Sequence, residues 1–530
     1  MMRWRWLLVC LSLWVTQPVW AEVERWQAKT FGNFTGGLND TSDSTVLTDQ
    51  EASNLQNVVF TTSGAITKRS GFTRINNGPT CGTTAPTALT MYKQADGDRW
   101  LVAVCGNDTL QKMDYGGGSA GPDGVWDAIT GALSFDVNVN LPGDFATAQD
   151  ILVIEDGLDT TAPYEWAGTG NADGLDGSPP NATMVEFHKR HLFLAGRTDA
   201  KSRLDFSALD NVESWTTATD FVLVETDDGQ NITGLKSGLD CLYVFKTHSI
   251  WRVCGTNKDD FTLEQMVRGV GAVNNASIAF INNQFLFLTT EGDVAIYNGG
   301  LDVQILSTKI EGTLSGLEFS RLDEAPGLAF DDGTGDEDYY LCVTTSGGTQ
   351  HNLLLAFDTL HRAWTKLTGI ACNAMARYEL GTLQTALVFG DYSGYTHRYP
   401  NTNADNGASI EAFYQTGDLD FGIPQQKTFR HAQVIVRQET TDHNVSFEPR
   451  VDFATSGTAT DISVAGSGAA YDTAVYDVDT YADLNSTVAN VGEINQTGNY
   501  FQWYISNNNA SEPFLTRAVR VWYEPTGRVE

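Results

Sequence analysis

The sequence predicts an all-β fold, and three observations predict it. Short runs rich in Val, Ile, Phe, Tyr and Thr recur along the chain, separated by Gly, Asp, Asn and Ser, the pattern of strands joined by tight turns. No long stretch carries helical periodicity. The 51 glycines against 14 prolines fit a chain of many turns rather than a disordered one. The 530 residues, 41% of them hydrophobic, exceed one ordinary core and suggest roughly two to four domains.

The first residues stand apart. Arg3 and Arg5 precede an apolar run from Leu7 to Val15, then come Pro18 and Val19-Trp20-Ala21 before Glu22. This is the layout of a secretory signal spanning residues 1–21, with cleavage after Ala21. The competing reading is an unprocessed apolar start that packs on a partner. The run is too short to cross a bilayer, so no stable membrane anchor is expected. Residues 22–87 read as an N-terminal arm and docking unit. Within it, 22–45 look irregular. A capping box at Thr48 and Glu51 predicts a helix to about Asn57. Val58-Val59-Phe60 reads as a strand, Ser63-Gly64 as a turn, and Ala65 to Arg69 as a second strand that Gly71 and Phe72 close.

From residue 88 to 400 one pattern repeats: an apolar strand, a Gly/Asp/Asn turn, then a second strand carrying an aromatic. The first strands are Leu101–Val104, Ile151–Ile154, Leu192–Leu194, Leu242–Phe245, Phe285–Leu288, Tyr339–Val343 and Ala386–Phe389. Their starts lie about 40 to 55 residues apart, the length of one four-stranded blade. A lone blade exposes both faces, whereas blades stacked around an axis cover them. The expectation is therefore a β-propeller of about six to seven blades. The blades are too unlike one another for a WD40 or kelch array. Past Pro400 the polar stretch Asn401 to Gly407 reads as a linker. Strands at Ile410–Thr416, Ala432–Gln438, Val445–Arg450, Phe501–Ile505 and Ala518–Tyr523 then predict a C-terminal β-sandwich-like domain over 401–530, with 455–498 as exposed loops.

The charge is one-sided: 33 Lys+Arg against 66 Asp+Glu, a net −33. Such a surface repels nucleic acid rather than gripping it. It suits either a soluble β protein or a conduit wall to which phosphates do not stick. Outside the leader lie Cys81, Cys105, Cys241, Cys254, Cys342 and Cys372, without CxxC or zinc spacing. They read mainly as small buried hydrophobes, with a cross-hairpin Cys241–Cys254 disulfide open after export.

The acidic loops at Asp156–Asp159, Asp173–Gly177, Asp227–Gly229 and Asp331–Asp338 read as turn chemistry, with a Ca²⁺ site as the alternative. Arg197, Arg203, Arg252 and Arg268 are too dispersed for a sialidase-type cluster. The eight histidines, among them the pair His188 and His191, read as surface or interface groups. Lys68-Arg69 and Lys189-Arg190 read as solvated strand ends or contacts to an acidic neighbour. No HExxH, GxSxG, P-loop or dinucleotide fingerprint occurs. No cofactor, metal or catalytic residue is expected.

Four motifs near the start carry a resemblance: Gly36-Gly37-Leu38-Asn39, Asp49-Gln50-Glu51-Ala52, Asn57-Val58-Val59-Phe60, and Gly64 through Arg69 to Gly71. Leu242–Lys246 with Ser249–Arg252, Gly269-Val270-Gly271 with Ser277-Ile278, Gly292-Asp293-Val294, and Phe357-Asp358 with Trp364 add to it. Together they cover about a third of the chain, and they resemble the podophage tail nozzle, or packaged-DNA stabilisation, family. That resemblance implies a non-enzymatic virion protein. It would be a β-propeller subunit of a hexameric ring below the tail adaptor, in contact with other tail proteins, extending the DNA channel, retaining the packaged genome and guiding ejection. Double-stranded DNA would pass without sequence-specific binding. Gly36, Gly37, Leu38, Asn39, Glu51, Asn57, Phe60, Arg69 and Gly71 are then the expected assembly interface. The implied location is the virion tail. The leader-like start points instead to a periplasmic or secreted protein, an exported propeller glycosidase or glycan-binding protein.

Overall fold

A computed structural model describes residues 26–526, apart from 76–77, 108, 116–121, 136–140, 332–336, 380–384, 438–442, 465–485 and 511–512. The leader reading lies outside the described residues. Among the described residues, seven four-stranded antiparallel sheets succeed one another. Blades 1 to 6 span residues 86–129, 144–174, 184–223, 232–268, 279–305 and 327–368. Blade 7 takes three strands from residues 374–402 and its outer strand, Gly71–Arg74, from the N-terminal side. The propeller is thus closed by a strand that precedes it. His397 pairs with Arg74 and Arg398 with Thr73 across that seam.

The runs read from sequence as first strands are the second strands of the blades, Arg99–Cys105 through Thr385–Gly390. The reason is burial. A second strand lies between two strands of its own sheet and between two neighbouring blades, so it is apolar on both faces. Every residue of His191–Ala195 and Cys241–Lys246 is buried. First strands line the axis and mix buried with partly exposed residues, as in Asp144–Ala148, Ile232–Gly238 and Gly327–Phe330, so they give a weaker sequence signal.

The remaining strands form two six-stranded sheets packed face to face. One contains Ser486–Gly498, Lys427–Arg437, Leu515–Pro525, Ile66–Lys68 and Val58–Phe60, with Gln27–Phe31 also on Leu515–Pro525. The other runs Gly37–Leu38, Glu51–Gln56, Ala412–Thr416, Phe501–Asn507, His443–Val451 and Thr460–Val464. Phe34, Tyr414 and Trp503 pack ring on ring inside it, with centroids 5.4–5.8 Å apart.

Residues 22–87 are therefore not a separate unit. The arm supplies five strands to the sandwich and one to the propeller. The expected helix is also replaced. Glu51 does reach back to the Thr48 N–H and hydroxyl, both at 3.0 Å, so the capping contact forms. Residues 51–56 are nevertheless a strand, because pairing with Gly37–Leu38 and Ala412–Thr416 on either side overrides local propensity. Likewise 460–464 and 486–498, read as loops, are strands.

The two domains meet at Arg69, whose side chain is fully buried. Its Nη1 donates to Asp405 Oδ1 at 2.8 Å and Nη2 to Asp405 Oδ2 at 2.6 Å. Nε donates to Asn57 Oδ1, and the remaining N–H groups to the Thr368 and Ser70 carbonyls. All five guanidinium donors are matched. Asn57 sits in the left-handed region at φ 55°; its Nδ2 donates to Thr368 Oγ1 and to the Glu411 carbonyl. Beside this knot, Gly71 lies so close to Ala404 that a Cβ would collide with its carbonyl.

All six cysteines among the described residues are paired: Cys81–Cys105, Cys241–Cys254 and Cys342–Cys372, with Cα separations of 5.4, 4.6 and 6.2 Å. The Cys241–Cys254 link left open by the sequence is formed, and the reading of the other four as free hydrophobes is corrected. All lie within disulfide reach, a constraint that residue type alone does not reveal.

Removing one partner of the buried pair leaves an unmatched charge, which costs about 3–5 kcal/mol. Urea unfolding of Asp405→Asn and Arg69→Met is expected to show losses of that size. A double variant should lose less than the sum of the two.

Candidate functional site at the propeller hub

The first strands of the blades surround the axis, and polar side chains tie four pairs of neighbours together. Asp144 Oδ2 accepts from the Val185 N–H of blade 3 at 2.9 Å. Glu186 Oε1 accepts from the Ser237 N–H of blade 4 at 3.0 Å. Asn275 Oδ1 accepts from the Leu235 N–H at 2.9 Å, and Asn373 Nδ2 donates to the Pro86 carbonyl at 2.9 Å. One bond joins blades that are not neighbours. Asn275, entering blade 5, donates from Nδ2 to Asp144 Oδ2 of blade 2 at 2.8 Å.

That bond crosses the axis and divides it into two cavities of about 290 and 460 Å³, both lined by Pro142, Gly143, Asp144, Asn275 and Ala276. Spaces of that size suit a small molecule and exclude a duplex.

The hub is acidic. Burial pushes the Asp144 carboxyl up to about 6, against the Val185 N–H and Lys236, which favour the charged form. Burial also raises Glu186. Glu155, 1% exposed, is raised well above the usual range by burial and by the neighbouring Asp156 and Asp144. No nucleophile–base pair stands among these residues. The hub can hold protons and fix blades.

Among the described residues, Glu165, Asp176 and Glu213 form the one carboxylate trio whose oxygens lie within 4.8 Å of one another. They join blade 2 to the long loop of blade 3. Burial, then Glu213, Asp176 and Asp173, push Glu165 up to about 7. This is the donor set a hard cation takes, and part of it, Asp173–Gly177, is legible in the sequence. The other acidic loops serve turns and locks. Asp159 Oδ2 accepts from the Thr198 N–H and hydroxyl, and Asp228 clasps the fully buried Lys246 at 2.7 Å. Residues 332–336 of the last loop lie outside the described residues.

The expected assembly residues are nearly all spent inside the chain. Gly37, Leu38, Asn39, Glu51, Asn57, Phe60, Arg69 and Gly71 are buried, and only Gly36 is partly exposed. Gly37, at φ 68°, lies against Ala363 and Trp364 of blade 6. Asn39 Nδ2 donates to Glu51 Oε1, which also pairs with Lys309 at 2.9 Å. Burial raises the Glu51 carboxyl, but the bonds from Thr48, Lys309 and Asn39 outweigh it and leave it low. These residues bind sandwich to propeller instead of offering a face to a neighbouring copy.

Lys68 and Arg69 are likewise buried rather than solvated. Lys189 and Arg190 form the exposed turn of blade 3 and pair with Asp240 and Asp210. Five histidines (His188, His191, His351, His397 and His443) are buried rather than superficial. Burial brings His188 and His351 down to about 4. Arg197 and Arg203 do converge, but on the buried Asp205. Arg252 is held by Glu264, so these arginines form no open anion cluster.

A carboxyl with a raised folded pKa keeps its proton longer folded than unfolded, so it destabilises increasingly as pH rises. Asp144→Asn keeps the acceptor and removes the charge. Its gain in thermal midpoint over the parent should grow from pH about 4 through about 6 and then level off. The gain for Glu165→Gln should continue to about pH 7.

No family model and no curated protein matches the chain. Solved structures similar to it include the computationally designed Ika8 protein (12% identity, 63% of this chain and all of that one, TM-score 0.34). The Neurospora crassa Pan2 WD40 domain is another (9%, 63% and 96%, TM-score 0.37), as is BBS1N in complex with ARL6DN (11%, 64% and 99%, TM-score 0.40).

Proposed function

We propose that the chain is a structural subunit of a short-tailed phage tail nozzle, working as a ring of copies around a DNA channel rather than as an enzyme. The observation that carries this reading is what its family-like opening segment does. Its motifs all serve the architecture, by docking on blade 6, bracing Glu51, knotting Asn57 to Arg69, and closing blade 7. The result is one continuous body of propeller and sandwich, the kind of block a symmetric ring is built from. The blocked hub supports a channel between copies, not through a propeller. The net charge of −33 supports a wall along which phosphates slide.

A second reading, an exported propeller that binds or cleaves glycans, is favoured by the three disulfides.

Electron microscopy of the purified chain, alone and with tail adaptor particles, is expected to show closed rings with propellers at the periphery. Duplex DNA should not be retarded even at low salt. A strictly monomeric chain in both samples, or one that hydrolyses a glycan panel, overturns the nozzle reading.

A further inference from the structure

The three disulfides divide the cysteines completely: all six outside the first 25 residues are used. Six cysteines allow fifteen full pairings, and each pair in this one has a distinct structural place. Cys241 and Cys254 face each other across the blade 4 hairpin, one step beyond Leu242 and Val253. Their 4.6 Å Cα separation is that of a non-hydrogen-bonded antiparallel pair, the position that admits a cross-strand disulfide. Cys81 and Cys105 pin the segment that leaves the closing strand to the second strand of blade 1. Cys342 and Cys372 pin blade 6 to the segment entering blade 7. Two of the three pairs therefore flank the seam where the propeller closes.

Burial adds an order of events. Cys81, Cys105, Cys342 and Cys372 are at most 2% exposed, whereas Cys241 is 8% exposed and Cys254 is partly exposed. A thiol sealed in the finished fold is closed to exchange partners, so the two seam pairs have to form while the chain is still folding.

We propose that the native chain is a three-disulfide protein that folds and is oxidised together, outside the reducing cytosol. The leader-like start, Arg3 to Ala21, gives the route. At each pair two thiols lose two protons and two electrons as one S–S bond forms. A protein disulfide of the oxidising compartment accepts the electrons through a mixed disulfide and is left as a dithiol. The inference rests on the exported reading and weighs against the nozzle reading, whose copies would assemble inside the cell; thiol state and ring formation are measured separately, so the failure of either is distinguishable.

The test uses the full chain with its own N-terminus, expressed in a bacterium with a periplasm. Cells are fractionated and the thiols are alkylated in urea before and after reduction. The folded protein is expected in the periplasm. Peptide mapping should give only the links 81–105, 241–254 and 342–372, with no reactive thiol among the six. Mild reductant should open 241–254 first and leave the other two closed until the chain unfolds. Full reduction should lower the thermal midpoint by roughly 10 °C. A folded cytosolic chain with six reactive thiols overturns the proposal, as does any other pairing. If the exported chain is degraded, refolding of the purified chain decides instead. Equal yield and midpoint with and without a glutathione redox mixture overturns the proposal; recovery only in the oxidising mixture upholds it.

Discussion

The architecture depends on one buried guanidinium. Arg69 lies where the N-terminal arm leaves the sandwich and enters the closing strand of blade 7. Its five bonds reach the arm, blade 6 and the connection back to the sandwich. A charge placed there without those partners would cost several kcal/mol. The arrangement brings Asp405, Asn57 and the Thr368 carbonyl, from three parts of the chain, onto one guanidinium. Propeller closure and domain docking are thus one event.

The hub extends the same logic on a smaller scale. Around the axis, carboxylates and amides satisfy backbone N–H groups of the next blade, so the ring is locked by directional bonds where apolar packing alone would let blades slip. The accompanying cost is a set of buried acids with raised pKa values. The crossing Asn275–Asp144 bond removes the axis as a passage.

Much of this was legible in the sequence. The apolar second strands, buried on both faces, announced the blades and their spacing. The closing strand Gly71–Arg74 did not: four residues of mixed polarity have no periodicity to read, and their partner lies more than 300 positions away. The arm was misjudged for a related reason. Thr48 and Glu51 make a sound capping contact, yet strand neighbours distant in sequence decide the outcome. Polar residues were harder still. Lys68, Arg69, Lys246 and His351 look like surface groups until their buried partners are known. Residue type showed that cysteines were present, but only the folded chain brings them together.

The strand order has a consequence for biosynthesis. Lys68 meets Asn507 across 439 positions, and Arg69 meets Asp405 across 336. A ribosome delivers the arm first, so its strands must wait for nearly the whole chain before they find their places. During that interval the unpaired strands of the arm are open to the wrong neighbour. Synthesis of this fold favours slow, chaperoned completion, and truncated products should be far more prone to aggregate than the finished chain.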